Sequence, residues 1–237
     1  MRVISLVPSV TETLRAWGVV PVACTRFCEQ PDLPHVGGTK NPDVEAIAAL
    51  HPDVVVMDRE ENRREDHDRL VESGVNVFAT AVRDLADVPP TLRELARRVG
   101  APIPPTPSSG RPPPVSSRAF VPIWRRPWMA LGATTYGTSL LRALGVENVY
   151  LDRGPYPEVE LGEAAARGPD LVIAPSEPYP FAERHVAELS SVAPVVLVDG
   201  KDLLWWGVRT GPAVARLARS LGLGLPKVVG SDREREG

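Results

Sequence analysis

The residues with most chemistry to offer are tryptophans and arginines gathered in segments that turn signals mark as loops. Trp124-Arg125-Arg126-Pro127-Trp128 is one such segment, and Lys201-Asp202-Leu203-Leu204-Trp205-Trp206 is another. Large aromatic side chains in loops are costly to leave in water and commonly cover something flat and apolar. For any single residue a lid on the core explains as much as a ligand does. For the group, a large planar ligand is the better reading. Trp17 lies on a helix face and reads as core. Arg59, Arg125, Arg126, Arg209 and Lys201 offer charge to the carboxylate or amide groups at the edge of such a ligand, although most arginines simply pair or face solvent.

Signals for catalysis are poor. Gly37-Gly38-Thr39-Lys40 lacks the spaced glycines of a phosphate loop, and no strand leads directly into it. Ser9 in Pro8-Ser9-Val10 lacks the flanking glycines of a nucleophile elbow. His35, His51, His67 and His185 stand in unrelated settings, with no pair at helical spacing and no histidine–carboxylate cluster. His51 precedes a proline at a helix end, where its charge suits the dipole. Cys24 and Cys28 are the only cysteines. They read as ordinary thiols or a disulfide, since Cys-x3-Cys without further ligands is a weak zinc signal. No catalytic set, metal site or catalytic cofactor is assigned, and the expectation is a protein that is not an enzyme.

The elements that must position these residues occur twice. Leu14-Arg15-Ala16-Trp17-Gly18-Val19 recurs as Leu141-Arg142-Ala143-Leu144-Gly145-Val146, and Ala48-Ala49-Leu50-His51-Pro52-Asp53-Val54-Val55-Val56 recurs as Ala165-Ala166-Arg167-Gly168-Pro169-Asp170-Leu171-Val172-Ile173. So long an offset indicates two copies of one unit rather than a solenoid. Short β-branched runs alternate with amphipathic segments, the pattern of a parallel sheet covered on both faces. Strands are expected at 2–7, 19–25, 54–57, 75–80, 119–124, 147–151, 170–174 and 194–198. Helices are expected up to Ala16 and over 43–50, 61–73, 90–99, 135–144, 159–167, 180–190 and 209–221. The fold class is α/β: two Rossmann-like lobes, 1–99 and 119–237, with a ligand cleft between them. A shortened connector over 100–118 joins them, its seven prolines excluding an interior helix. In such sheets ligands lie beyond the carboxyl ends of the strands.

A net charge of −3 gives no reason to expect nucleic acid, and no apolar run approaches the ~20 residues a membrane span needs. The N-terminus turns at Pro8, too early for a signal peptide. The chain as written reads as cytoplasmic, or as periplasmic or cell-surface if a leader has been removed.

Arg2-Val3-Ile4-Ser5-Leu6-Val7-Pro8-Ser9-Val10-Thr11-Glu12, together with the repeated Pro-Asp pairs, resembles the cobalamin- and ferric-siderophore-binding proteins of ABC importers. The spacing is closest to the cobalamin-binding branch. The resemblance implies a corrinoid held by aromatics and one aspartate, onto which Phe27, Tyr156 and Asp202 match, with Trp205 or Trp206 nearby and Thr39 where another aromatic is expected. The set of ligand residues is therefore Ser9, Phe27, Thr39, Arg59, Trp124, Trp128, Tyr156, Asp202, Trp205 and Trp206. It further implies docking on an ABC permease through one glutamate per lobe. Glu45 matches the first, while Gly162 takes the second position with Glu163 one place off. The long helix that joins the family's lobes is absent. A ferric-siderophore or haem carrier, or an intracellular corrinoid-handling enzyme or chaperone, remain the alternatives.

Overall fold

The repeated Pro-Asp pair fastens two similar sheets in the same way. In the computed structural model, which describes residues 1–102 and 112–223, the Asp53 carboxylate accepts from the backbone N–H of Arg2 at 2.6 Å. The Arg2 guanidinium donates to the Leu50 carbonyl at 2.8 and 3.0 Å, and the Asp53 N–H returns to the Arg2 carbonyl at 2.8 Å. Asp170 and Arg118 repeat this. The carboxylate accepts from the Arg118 N–H at 2.7 Å, and the guanidinium reaches the carbonyls of Arg167 and Gly168 at 2.9 and 3.0 Å. Each clasp thus gives a helix end the donors its last carbonyls lack, and ties it to the starts of two strands.

The elements run in chain order as β1 (Val3–Ser5), α1 (Pro8–Ala16), β2 (Ala23–Cys24), α2 (Val44–Ala49), β3 (Val54–Asp58), α3 (Arg64–Glu72), β4 (Val77–Thr80) and α4 (Val88–Val99). They continue as β5 (Ser117–Phe120), β6 (Pro122–Trp124), β7 (Met129–Ala130), α5 (Tyr136–Ala143), β8 (Val146–Asn148) and α6 (Leu161–Ala166). The last are β9 (Leu171–Pro175), α7 (Val186–Leu189), β10 (Val195–Val198), α8 (Gly200–Leu204) and α9 (Thr210–Ser220). One parallel sheet has the order β2-β1-β3-β4 and the other β8-β5-β9-β10. Element by element the two orders are the same, so the duplication read from the sequence is a duplication of topology.

The repeated Leu-Arg-Ala-x-Gly-Val segment is a helix end. Gly18 and Gly145 both carry φ of +77°, the left-handed conformation that closes α1 and α5. Their N–H groups donate to the carbonyls of Arg15 and Arg142 at 3.0 Å. After α2 and α6 the same conformation falls on His51 (φ +45°) and Gly168 (φ +63°). His51 is therefore a helix stop held at positive φ, which its place beside the dipole did not reveal. Asp43 caps α2 through its carboxylate, which accepts from Ala46 N–H at 2.9 Å.

Burial follows the parallel-sheet pattern, in which strands covered on both faces read as unbroken apolar runs. All five residues of β3 are buried. Ile4, Leu6, Ile47, Val55, Met57 and Leu70 share the first core; Phe120, Tyr150, Val172, Ala174 and Leu189 share the second. Of the described residues, 1–82, 87–102 and 206–208 form one compact unit, and 83–86, 112–205 and 209–223 form the other. The first unit thus recruits a distant segment. Gly207, at φ +131°, lies so close to α1 that a Cβ would collide with Thr13 Oγ1, and Val208 N–H donates to that oxygen at 3.3 Å.

Several expected elements differ. The strand over 119–124 splits at Val121 into β5 and the antiparallel hairpin strand β6. The strand over 19–25 shrinks to two residues behind Pro21. The helix over 180–190 is one 3₁₀ turn followed by α7, because Pro178 and Pro180 delay its start. α8 falls in a stretch read as loop. Most of the proline connector and the charged tail lie outside the described residues.

If the clasps hold the strands as described, Asp53→Ala and Asp170→Ala should each cost about 1 kcal/mol, the usual worth of such a hydrogen bond. Thermal unfolding followed by circular dichroism should then fall by roughly 2–4 °C for either variant. No change for either would remove the clasp from the account.

Candidate ligand-binding surfaces

In the first unit, side chains at the carboxyl ends of β3 and β4 surround a cavity of about 490 Å³. Asp58, the last residue of β3, is 4% exposed and forms part of its wall. One carboxyl oxygen accepts from Glu60 N–H at 2.9 Å, and the other lies 2.7 Å from the Thr80 hydroxyl. That hydroxyl also lies 3.0 Å from the Met57 carbonyl. Burial pushes the Asp58 carboxyl above its ordinary range, against the hydrogen bonds from Thr80 and Glu60.

The loop after β3 is fixed from several sides. Asn62 is buried and accepts from Asp58 N–H at 2.7 Å, while its amide donates to the carbonyls of Thr39 and Leu6 at 2.8 and 3.3 Å. Lys40 donates to the Glu60 carbonyl at 2.6 Å, and Arg59 N–H to the Thr80 carbonyl at 3.0 Å. The neighbouring Gly37-Gly38-Thr39-Lys40 segment is a tight turn, with hydrogen bonds in both directions between Gly38 and Asn41. Asp58 and Asn62 had no motif to mark them; only their place at a strand end did.

In the second unit the corresponding position is aromatic. Trp128 stacks on Phe181 with centroids 6.0 Å apart and planes 3° from parallel. Trp124, 43% exposed, meets Tyr179 edge-on at 5.7 Å, and Tyr179 lies 4.8 Å from Phe181. Arg125 pairs with Glu188 at 2.9 Å, beside Trp128. His185 is buried beneath the rings. Its Nδ1 accepts from Ala182 N–H at 3.1 Å, so the neutral ring carries its proton on Nε2, 3.5 Å from the Tyr179 hydroxyl. Burial, with Arg184 and Arg125 nearby, pushes this imidazole below its ordinary range. Tyr179, Phe181 and His185 were not among the expected ligand residues.

The other expected residues are placed variously. Phe27 is 50% exposed with the Arg26 guanidinium 4.9 Å over its ring, and Tyr156 is 40% exposed. Ser9 is buried in α1, its hydroxyl without a partner among the described residues. Thr39 contributes only its carbonyl, to Asn62. Asp202 is 2% exposed, with Arg209 at 2.7 Å on one oxygen and Arg216 bridging both. Burial opposes its charge, but the two guanidiniums hold the carboxyl below its ordinary range. Trp205 lies between Lys201 and Arg209, 4.9 and 5.7 Å from its ring. Trp206 is 4% exposed and belongs to the first unit. Glu45 is exposed at the second position of α2, where α6 has Gly162; Glu163 is tied to Arg153 and Arg167, both at 3.2 Å.

Both cysteines are free and buried. Hydrogen bonding from Cys24, Thr11 and Thr25 outweighs burial at Cys28 and lowers its thiol to about 6. Among the described residues no cluster of three or more histidine, cysteine or acidic side chains suits a metal ion, and no helix is long and apolar enough to cross a membrane.

The model of the periplasmic binding protein family matches residues 3–102. The vitamin B12-binding protein of Salmonella typhimurium is 26% identical over 251 residues, covering 96% of this chain and 91% of the relative. The periplasmic vitamin B12 binding protein BtuF of Vibrio cholerae has a TM-score of 0.75 at 18% identity, over 93% of this chain and 96% of that one. The heme-binding protein RhuT from Roseiflexus sp. RS-1 gives 0.73 at 19%, over 92% and 97%. The resemblance drawn from the opening motif and the Pro-Asp pairs therefore stands, and it spans both lobes.

The state of Asp58 is open to measurement. Its folded value lies above the ordinary 3.8, so its contribution to stability is whole below that pH and is lost as pH rises through the folded value. Asp58→Asn, which mimics the neutral acid, should therefore unfold a few degrees higher than the parent at pH 7 and match it near pH 3.5. An Asn variant less stable at pH 7 than at pH 3.5, relative to the parent, would show Asp58 ionised and well accommodated.

Proposed function

We propose that the protein is a non-enzymatic binder of a cobalamin-like corrinoid. The aromatic surface of the second unit carries the reading. Trp124, Trp128 and Tyr179 come together on the hairpin and on the loop after β9, both of which lie beyond strand carboxyl ends. There they offer ring faces and edges to a large flat ligand. Curated relatives similar along almost the whole chain are named for vitamin B12 binding, which supports a corrinoid over other planar ligands. Exposed Tyr156, in the same unit, adds apolar area. Asp202 serves this reading indirectly: it anchors Arg209, which together with Lys201 fixes the Trp205 ring.

A haem carrier is the second reading, supported by structural neighbours that bind haem in their names. Arginines would then dominate over aromatics, yet Arg125 is already engaged by Glu188. As for a transporter, only the first copy offers an open glutamate at the docking position, and we propose that no symmetric two-carboxylate dock operates. Tight association with a permease that Glu45→Ala and Glu163→Ala weaken equally would refute this.

Cyanocobalamin titrated into the protein should quench tryptophan fluorescence to saturation. Trp124→Ala and Tyr156→Ala should each weaken binding by roughly tenfold, the loss expected for a buried ring contact. Replacing Arg125 and Arg126 should do less. Binding of haemin but not of cyanocobalamin, with Arg125 and Arg126 dominant, would favour the second reading.

A further inference from the structure

Cys24 and Cys28, the only cysteines of the chain, lie together in the first unit, and ligand binding makes no use of them. Cys24 ends β2, and Cys28 ends the 3₁₀ turn Arg26–Cys28 that follows it. Both are buried, at 0% and 3% exposure. A buried free cysteine commonly serves as a small hydrophobe. The surroundings of Cys28 are not those of a hydrophobe. The Thr11 hydroxyl of α1 donates to its Sγ at 3.1 Å, the Thr25 hydroxyl lies 3.2 Å away, and the Cys24 thiol is hydrogen-bonded to it as well.

Sulfur is a weak acceptor when neutral and a far better one as a thiolate. Two buried hydroxyls and a thiol turned on one sulfur therefore favour its anion, and they outweigh the burial that opposes it. The same contact acts in the opposite sense on Cys24, whose thiol Cys28 and burial both push up. Arg15 and Asp32 also act on Cys24, with opposite signs, and pair with each other at 2.9 Å. The two sulfurs are thus unequal: one is a nucleophile, and the other is a protonated thiol in contact with it. Only a thin layer covers them. Arg26, Phe27 and Glu29 are all exposed, so the outward opening of one turn admits a molecule as small as a peroxide.

We propose that Cys24 and Cys28 are a redox pair that a hydroperoxide converts to an intramolecular disulfide, Cys28 attacking and Cys24 resolving. The Cys28 thiolate attacks one peroxide oxygen; an S–O bond forms, the O–O bond breaks, and hydroxide leaves. Cys28 is then a sulfenic acid. The Cys24 sulfur attacks it; the S–S bond forms, the S–O bond breaks, and the departing hydroxide takes the Cys24 proton to become water. The sulfur pair loses two electrons, and the peroxide gains the same two. The bridge removes the thiolate on which Thr11 and Thr25 converge, so the turn that carries Phe27 resets. This chemistry is independent of the ligand and of its identity.

The reduced, folded protein is treated with hydrogen peroxide, quenched, unfolded with a thiol alkylator and digested for mass spectrometry. Both free thiols should be lost, and a Cys24–Cys28 cross-linked peptide should appear in protein that stays monomeric. Dithiothreitol should restore both thiols. With dimedone present during oxidation, the adduct should fall on Cys28 and not on Cys24. Amide shifts of residues 25–29 should change on oxidation and return on reduction. None of these readings on the parent protein depends on a variant that folds. Cys24→Ser should still give the Cys28 adduct, whereas Cys28→Ser should leave Cys24 a free thiol. Thiols that survive in the folded protein a peroxide dose that oxidises them in urea would overturn the proposal. So would dimedone adducts on Cys24 in the parent, or disulfides formed only between molecules.

Discussion

The structure depends on one small interaction made twice. An aspartate at the start of a central strand accepts from the backbone of an arginine at the start of its neighbour, and that arginine grips the end of the preceding helix. The clasp lies beside the paired residues Val3 and Val54 in one sheet, and Ala119 and Leu171 in the other. It thereby pins the register of two buried strands at their amino ends. A slip of one residue would turn every side chain to the opposite face, so what emerges at the carboxyl ends is fixed from the far side of the sheet.

What emerges differs between the copies. Asp58 of β3 pairs in register with Thr80 of β4, and at the matching place Pro175 of β9 pairs with Val198 of β10. One copy puts a buried acid and its hydroxyl partner there, under a loop of arginines. The other puts two apolar residues there, below loops that carry stacked rings. Duplication supplied equal scaffolds, and substitution at the strand ends gave them complementary chemistry: charge on the first unit, aromatic area on the second. The same divergence touches α2 and α6, where Glu45 faces Gly162 in the alignment of the copies.

Much of this was legible in the sequence because it is local. Helix stops at Gly18 and Gly145, the Asp43 cap and the alternation of β-branched runs with amphipathic helices each depend on a few neighbouring residues. The repeated Pro-Asp pair marked the duplication without disclosing what the aspartates do, since their partners lie 51 and 52 positions away. Long-range placement was illegible for the same reason. Nothing near Trp206 indicates that it returns to the first unit, where Val208 meets Thr13 across 195 residues. Asp202 illustrates a further limit. Its type and position suggested a ligand contact, whereas two arginines in and beside α9 occupy it. The aromatic loop was visible as composition, but the partnership of Trp128 with Phe181 required the fold.

The central claim is that a flat ligand engages the ring-bearing strand-end loops of the second unit. Amide chemical shifts of the isotopically labelled protein, recorded during titration with cyanocobalamin, test it most directly. The account expects the largest changes at residues 124–128, 156 and 179–181 of the second unit. Shifts that are absent at saturating ligand, or confined to residues away from this set, would contradict it.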